Sequence, residues 1–309
     1  MNKIDAFIVA RQSSSRLPGK ALVLVEGKPL LQLISERLRA CPEISEVWFV
    51  TSNQHADDGI EDLASRIGVR CHRGHPEDVL QRLYTASLES EADAFLEVGG
   101  DCPLIDPTLV AHGVKIARAS DADFTSNASK PPFSYPVGYD FILIKKEALH
   151  RLHSLAELDS ERCQPFQLVI RRPELFTQHH FSQEKNLNQW RFTLDYPEDL
   201  MFIKAIYYEL YENHRIFGFQ EIEELLQRRQ DIVALNIKHA NSVAFSTIWF
   251  TGSYTTEVGR DVARLLKQSA VAEAAKDWQR SIDRLSIVTK LLEDLLARAS
   301  YFKKKGADD

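Results

Sequence analysis

The chain has 309 residues, with 38 Lys and Arg against 44 Asp and Glu, a net charge of −6, and 44% hydrophobic and 27% charged residues. That is the make-up of an ordinary globular protein, long enough for one large domain or for one domain with an appendage. It argues against nucleic acid as a partner, and no apolar run approaches the length of a membrane span.

The first half alternates two periodicities. Strand-like runs are expected at Ala6–Ala10, Glu46–Thr51, Val69–Arg73 and Ala94–Val98. Between them, Pro29–Ala40 places Leu30, Leu31, Ile34 and Leu38 on one helical face. Asp57–Ile67 does the same with Ile60, Leu63, Ala64 and Ile67, and Gly68 is placed to stop that helix. A third helix is expected over Pro76–Leu88, with Pro76, Glu77 and Asp78 in its first turn. Strands alternating with crossover helices predict a mostly parallel sheet covered on both faces.

After Asp123 the pattern changes. Short strands are expected at Asp123–Ser126, Gly138–Ile144, Leu175–His180 and Arg191–Leu194, suggesting an antiparallel or mixed edge. Helices are expected again at Pro197–Tyr211 and Phe219–Arg228, and the apolar run Ile232–Leu235 closes the main domain. Beyond it, Thr255–Lys267 and Val271–Phe302 read as helix, with Trp278, Ile282, Leu285, Leu292 and Leu296 forming an apolar stripe before the solvated end at Lys303–Lys305. The expected division is a main domain over 1–238 and a helical extension over 239–309.

Cys41, Cys71, Cys102 and Cys163 are scattered without a Cys-x-x-Cys pair, so neither a zinc site nor a disulfide framework is expected. His150/His153 and His179/His180 have no third ligand nearby in sequence and read as surface or core histidines. No charged-then-apolar leader precedes the first strand, and the expected compartment is the cytoplasm.

The chemistry concentrates where strands end. The first strand opens into Ala10-Arg-Gln-Ser-Ser-Ser-Arg-Leu-Pro-Gly-Lys20, a loop rich in hydroxyls and cations. Such a loop suits a nucleoside triphosphate: backbone N–H groups and Ser hydroxyls approach the phosphates, while Arg11, Arg16 and Lys20 offset their charge. A Walker A loop is rejected, because Ser14 stands where its first glycine belongs and Ala21 where its metal-binding hydroxyl belongs. The Gly-x-Gly-x-x-Gly dinucleotide fingerprint is absent from this loop as well.

A second motif, Val98-Gly-Gly-Asp101-Cys-Pro-Leu-Ile-Asp106-Pro107, follows a strand. Asp106 is explained as a helix N-cap before Pro107. Asp101 has no such explanation beyond a turn, and it lies at the sheet edge where ligands bind in open α/β folds. A third motif, Arg191-Phe-Thr-Leu-Asp195-Tyr-Pro197-Glu-Asp, repeats the arrangement: Glu198 and Asp199 serve as first-turn acids, leaving Asp195 unexplained.

Together, the first loop with its continuation Ala-Leu-Val-Leu-Val-Glu-Gly-Lys-Pro-Leu, the Gly-Asp-x-Pro-Leu motif and the Asp195 motif resemble the sugar-acid cytidylyltransferases. Within that family the chain resembles the spore-coat polysaccharide (SpsF-like) branch over about residues 3–235. The resemblance implies a Rossmann-like three-layer α/β/α nucleotidyltransferase fold with a mostly parallel mixed sheet, and a homodimer. It implies transfer of CMP from CTP to the anomeric hydroxyl of a 2-keto-3-deoxy sugar acid for surface polysaccharide biosynthesis. Arg11, Lys20, Asp101 and Asp195 would be catalytic, with Asp101 and Asp195 as Mg²⁺ ligands. Ala10, Ser13, Arg16 and Gly19 would contact the nucleotide.

Ser52 and the Arg73-Gly-His-Pro-Glu-Asp-Val-Leu-Gln-Arg82 segment resemble the branch's nucleotide side. Arg73 and Arg82 are candidates for nucleotide contacts, with surface ion pairs to Glu77 or Asp78 as the other reading. Asn127, Tyr135, Gly138 and Asp140 lie where the branch places its acceptor. Glu97 stands near a position where related sequences often carry a basic residue. Two other functions stay open on the residues alone: a uridylyl- or thymidylyltransferase acting on a sugar phosphate, against which the serine-rich loop counts, and a non-catalytic nucleotide-binding scaffold.

Overall fold

β1 (Ile4–Val9) is buried along nearly its whole length and begins both layers that cover the sheet. Ile4, Ala6 and Ile8 enter one hydrophobic cluster and Phe7 the other, as the two-residue period of a strand dictates. The computed structural model describes residues 1–14, 16–129, 133–239, 260–266, 268 and 283–293, with only the backbone described at His214.

After β1 come the cationic loop, a single tight turn at Lys20–Leu22, and a hairpin of β2 (Leu24–Val25) and β3 (Lys28–Pro29). Glu26 and Gly27 take φ of 48° and 75° at the hairpin turn, the backbone that a two-residue connection needs to match strand twist. This hairpin was not expected, and α1 (Leu30–Arg39) starts just after it. There follow β4 (Glu46–Ser52), α2 (Asp58–Ile67), β5 (Arg70–Gly74), α3 (Val79–Glu89), β6 (Ala94–Gly99) and α4 (Pro107–Ser120), the predicted alternation. Gly68 ends α2 at φ 63°, returning its N–H to the Ala64 carbonyl. α3 begins after Pro76 rather than at it, because Asp78 accepts from Gln81 N–H at 2.8 Å and sets the N-cap.

The second half carries β7 (Phe124–Ser126), β8 (Ile142–Lys145), α5 (Lys146–Leu155), α6 (Asp159–Cys163), α7 (Phe166–Arg171), β9 (Gln178–His180), α8 (Pro197–Leu210), α9 (Phe219–Arg228) and α10 (Gln230–Val233). Residues 260–266 and 283–293 are helical, while the remainder of the expected tail helices, including Trp278, Ile282, Leu296 and Lys303–Lys305, lies outside the described residues. β8 and β9 are shorter than the runs expected for them. The expected strand at Arg191–Leu194 forms only a single bridge, Val137 with Arg191. Gly138 turns the backbone there at φ 100°, so pairing stops after one residue.

The seven-stranded sheet has the order β5-β4-β1-β6-β8-β7-β9. β8 runs against β6 and β7, and the other pairs are parallel. α1, α2, α4, α8 and α9 cover one face, and α3, α5 and α7 cover the other. On the second face Phe7 stacks on Phe95 at 4.5 Å and meets Trp48 edge-on at 5.9 Å. Each such buried ring contributes about 1.5–3 kcal/mol by leaving water. This is the mixed, mostly parallel three-layer fold that the sequence predicts. β1 and β6 sit side by side at its centre, so the loops that leave their carboxyl ends share one edge.

Candidate active site

The ends of β1 and β6 meet closely. Gly100 donates its N–H to the Val9 carbonyl at 2.9 Å, and a Cβ there would stand 2.6 Å from the Ala10 methyl. A side chain at position 100 would push the two loops apart. The first loop is anchored from below: Asp57 accepts the Gln12 N–H at 2.7 Å with one oxygen and the Ser52 hydroxyl with the other. The loop then folds on itself, with Gly19 at φ 76° delivering Lys20 into the tight turn.

Lys20 is the centre of the site. Its ammonium lies 2.7 Å from Asp101 Oδ2 and 2.9 Å from Asp195 Oδ1, with 15% of the side chain exposed. Asp195 also accepts from Arg16 at 2.8 Å and from Arg191 at 2.6 Å. Burial disfavours charge on both partners, but the ion pairs outweigh it. Lys20 is therefore held above its usual pKa, and the Lys20, Arg16 and Arg191 cations hold the Asp195 carboxyl well below the usual carboxylate range. The site keeps the Asp195 carboxylate ionised and the lysine protonated at neutral pH.

Asp199 fixes this cluster in place. It pairs with Arg191 at 3.2 Å and accepts the N–H groups of Asp195 and Tyr196, each at 3.0 Å. The oxygen that faces Arg191 at 3.2 Å also accepts from Asn236 Nδ2 at 3.1 Å. Sequence reasoning explained Asp199 as a first-turn acid and passed over Arg191. The available signal was that Arg191 opens the Asp195 motif, four residues upstream.

Beside the cluster is a cavity of about 260 Å³, bordered by Arg11, Lys20, Arg82, Glu97, Asp101 and the Cys163–Phe166 segment. Ala10 also lines it. Arg11 and Arg82 both donate to the Pro76 carbonyl, at 2.6 and 2.8 Å, and Arg11 also pairs with Glu77 at 3.1 Å. Arg82 is almost fully buried, which with neighbouring Arg11 pushes its pKa down to about 10. Its Nε has no hydrogen-bond partner among the described residues. Two guanidinium groups thus converge at one wall, an arrangement that suits an electron-rich ligand. Glu97 lies on the cavity floor, where burial and the Asp101 and Asp140 carboxylates push its pKa up to about 8.

Other expected residues lie elsewhere. Arg73 pairs with Asp58 at 2.6 Å and Glu61 at 2.7 Å and donates to the Ser52 and Gln54 carbonyls. It ties β4 to β5 and does not border the cavity, nor does Ser52, whose hydroxyl holds Asp57. Ser13 is exposed on the first loop. Asn127 is buried and binds the Tyr139 carbonyl and the Phe141 N–H. Gly138 packs against the backbone of Phe192 and Thr193. Tyr135 borders a separate cavity of about 700 Å³ beside α4 and α9. Of the four residues expected on the acceptor side, Asp140 is the one placed electrostatically next to Glu97 and Cys102. The Cys163–Phe166 wall was not anticipated, since its two flanking helices have only five and six residues and show little periodicity.

The donor set at Asp101 and Asp195 also suits a hard divalent cation. Two carboxylate oxygens already converge on one positive centre, and such an ion commonly takes one or two carboxylates with phosphate oxygens and water. No group of three or more acidic, His or Cys ligands occurs among the described residues, so a bound ion would draw its remaining ligands from substrate and solvent.

Comparison with known proteins agrees with this geometry. A family model described as cytidylyltransferase matches residues 6–238. The spore coat polysaccharide biosynthesis protein SpsF of Bacillus subtilis is 27% identical over 240 residues, covering 75% of this chain and 97% of that protein. The 3-deoxy-manno-octulosonate cytidylyltransferase of Geobacter metallireducens is 32% identical over 112 residues, 36% of this chain and 43% of that one. Among solved structures, a cytidylyltransferase from Leptospira borgpetersenii superposes with a TM-score of 0.71 at 26% identity, covering 75% of this chain and 97% of that one. With the cationic loop, the paired aspartates and the shared fold in one place, the chain belongs to the cytidylyltransferase family.

Proposed function

We propose that this protein transfers CMP from CTP to the anomeric hydroxyl of a 2-keto-3-deoxy sugar acid, for surface polysaccharide synthesis. The observation that carries the reading is the meeting of Lys20, Arg16, Asp101 and Asp195 at the edge shared by β1 and β6, next to a cavity walled by Arg11 and Arg82. Likeness to SpsF and to 3-deoxy-manno-octulosonate cytidylyltransferases supports the choice of nucleotide and acceptor class.

The roles follow from charge and position. The acceptor oxygen forms a bond to the α-phosphorus of CTP as the bond to the β-phosphate oxygen breaks, and pyrophosphate leaves. In such transfers the protein chiefly positions groups and stabilises charge. Arg11, Arg16 and Lys20 offset the triphosphate and the departing pyrophosphate, with Ala10, Ser13 and Gly19 presenting the loop backbone to the phosphates. Arg82 faces the nucleotide from the cavity wall. Asp101 and Asp195 would hold Mg²⁺, which when bound neutralises phosphate charge and makes the acceptor hydroxyl more acidic. Asp140 stands on the acceptor side. The working form is a homodimer in the cytoplasm.

A thermal-shift series with CTP, UTP, dTTP, ATP and GTP, each with Mg²⁺, tests the reading. A ligand at about 100 times its Kd adds about 2.7 kcal/mol to stability. Selective stabilisation by CTP, lost in Asp101→Ala, supports the proposal. Preference for UTP or dTTP points instead to a sugar-phosphate nucleotidylyltransferase. No response to any nucleotide points to a scaffold.

A further inference from the structure

Among the described residues beyond the family-matched region, 260–266 and 283–293 include side chains that dock on the domain beside the cavity wall. Leu265, Val288 and Leu291 pack around Leu158, with Val262 and Ile287 against them. Asp261, 1% exposed, accepts the backbone N–H of Ser160 at 2.9 Å, and Arg264 spans Asp261 at 2.7 Å and Asp159 at 3.4 Å. These contacts fall on the first turn of α6. A helix start needs acceptors for its free N–H groups, and Leu158 at the N-cap position has no side-chain oxygen to offer. Asp261 supplies one from 101 residues away.

α6 then connects to the site in two ways. Its last residue begins the Cys163–Phe166 wall of the cavity. Its Arg162 pairs with Asp78, the residue that caps α3, and α3 brings Val79 and Arg82 to the same cavity. Glu161 adds a brace, accepting the Glu157 and Leu158 N–H groups at 3.1 Å and pairing with Arg171 of α7 at 2.8 Å. α6 is a short strut between the C-terminal helices and two walls of the cavity.

We propose that Asp261 is a positioning residue for nucleotide binding: by holding the start of α6, the C-terminal extension sets the Cys163–Phe166 wall and, through Arg162, the start of α3. The inference rests on the reading that this cavity takes the nucleotide. Its physical basis is that a binding wall held from a second layer loses affinity when its support is removed.

The test uses the full chain, with hydrogen exchange and CTP affinity measured on wild type, Asp261→Ala, Asp261→Asn and Arg162→Gln. Leu266→Ala serves as control, since Leu266 is 45% exposed on the same helical stretch. The expected result for Asp261→Ala is faster exchange at residues 160–166 and 79–82, and CTP affinity and KM weakened about fivefold, with kcat little changed. Asp261→Asn keeps an acceptor oxygen and restores most of the affinity. Arg162→Gln weakens CTP binding while residues 260–266 stay protected. Faster exchange confined to 260–266, or unchanged CTP affinity in both Asp261→Ala and Arg162→Gln, overturns the proposal. Failure of the wild type to bind CTP overturns the functional reading. The exchange at 79–82 still decides whether the strut transmits.

Discussion

Replacing Lys20 by methionine keeps most of the aliphatic stem and removes the charge on which the site is built. In the wild type this ammonium makes two short contacts, 2.7 Å to Asp101 and 2.9 Å to Asp195. The two carboxylates do not suffer equally. Asp195 keeps Arg16 at 2.8 Å and Arg191 at 2.6 Å, whereas Asp101 has no other ion pair among the described residues and keeps only a weak contact from Cys102 Sγ at 3.6 Å. A hydrogen bond to a charged group contributes about 1.5–3 kcal/mol. Losing one of consequence, partly offset by no longer desolvating an ammonium, should cost about 2 kcal/mol of stability. The catalytic loss should be larger. Removing one preorganised charge-stabilising donor costs about 2.7–4 kcal/mol of transition-state stabilisation, a factor of about 100 to 1,000 in kcat. The assay is pyrophosphate release from CTP and a sugar acid, alongside thermal unfolding of the same preparations. A folded Lys20→Met enzyme that turns over within about tenfold of wild type would refute the assignment of Lys20 to the reaction centre.

Three further outcomes follow from the geometry. Asp101→Asn should lower turnover at least ~100-fold and also weaken Mg²⁺ binding measured calorimetrically in the presence of CTP, since it removes one of two converging carboxylates; unchanged metal affinity would remove Asp101 from the ligand set. Glu97 has a folded pKa of about 8 against an ordinary 4.5, so the folded state binds its proton more tightly than the unfolded chain. Its contribution is fully present below pH 4.5 and is lost as pH rises through about 8. Metal-free protein should therefore lose stability across that window, and Glu97→Gln should flatten the loss; identical pH profiles would contradict it. Gly138→Ala combines φ 100° with a Cβ 2.8 Å from the Phe192 carbonyl carbon and 2.9 Å from Thr193 N. It should cost about 2–4 kcal/mol in chemical denaturation, and a variant as stable as wild type would contradict that packing.

The legible parts of this protein are those set by local chemistry. A strand that ends in glycines or serines and cations announces a ligand edge, and a Pro after an acid announces a helix start. Asp106 caps α4 as its place before Pro107 predicts, accepting from Thr108 and Leu109 N–H. That the first loop and Asp101 both lie at the carboxyl edge of the sheet was readable too, because parallel crossovers place those strand ends on one edge; that β1 and β6 are neighbours, which brings Lys20 to Asp101, is the structure's addition. The parts that stayed hidden depend on contacts between distant segments with no periodic signature. Asp195 was marked by its motif, but it arrives on an irregular segment in place of the expected strand, held by the bridge to Val137 and by the Leu194 N–H on the Asp101 carbonyl at 2.8 Å. Arg73 is open to two readings in the sequence, a nucleotide contact or a surface ion pair, and its ion-pair partners prove to be Asp58 and Glu61 on α2, which no local spacing indicates. The Cys163–Phe166 wall and its support by Asp261 come from helices too short for an apolar stripe and from a contact spanning 101 residues.

Phosphorus NMR of the complete reaction tests the central claim most directly. The enzyme is incubated with CTP, Mg²⁺ and, in separate samples, a panel of 2-keto-3-deoxy sugar acids and a panel of sugar 1-phosphates. The account predicts a new phosphodiester resonance and free pyrophosphate with a sugar acid, and neither with a sugar phosphate. A nucleoside diphosphate sugar formed from a sugar phosphate, with every sugar acid inert, would contradict it.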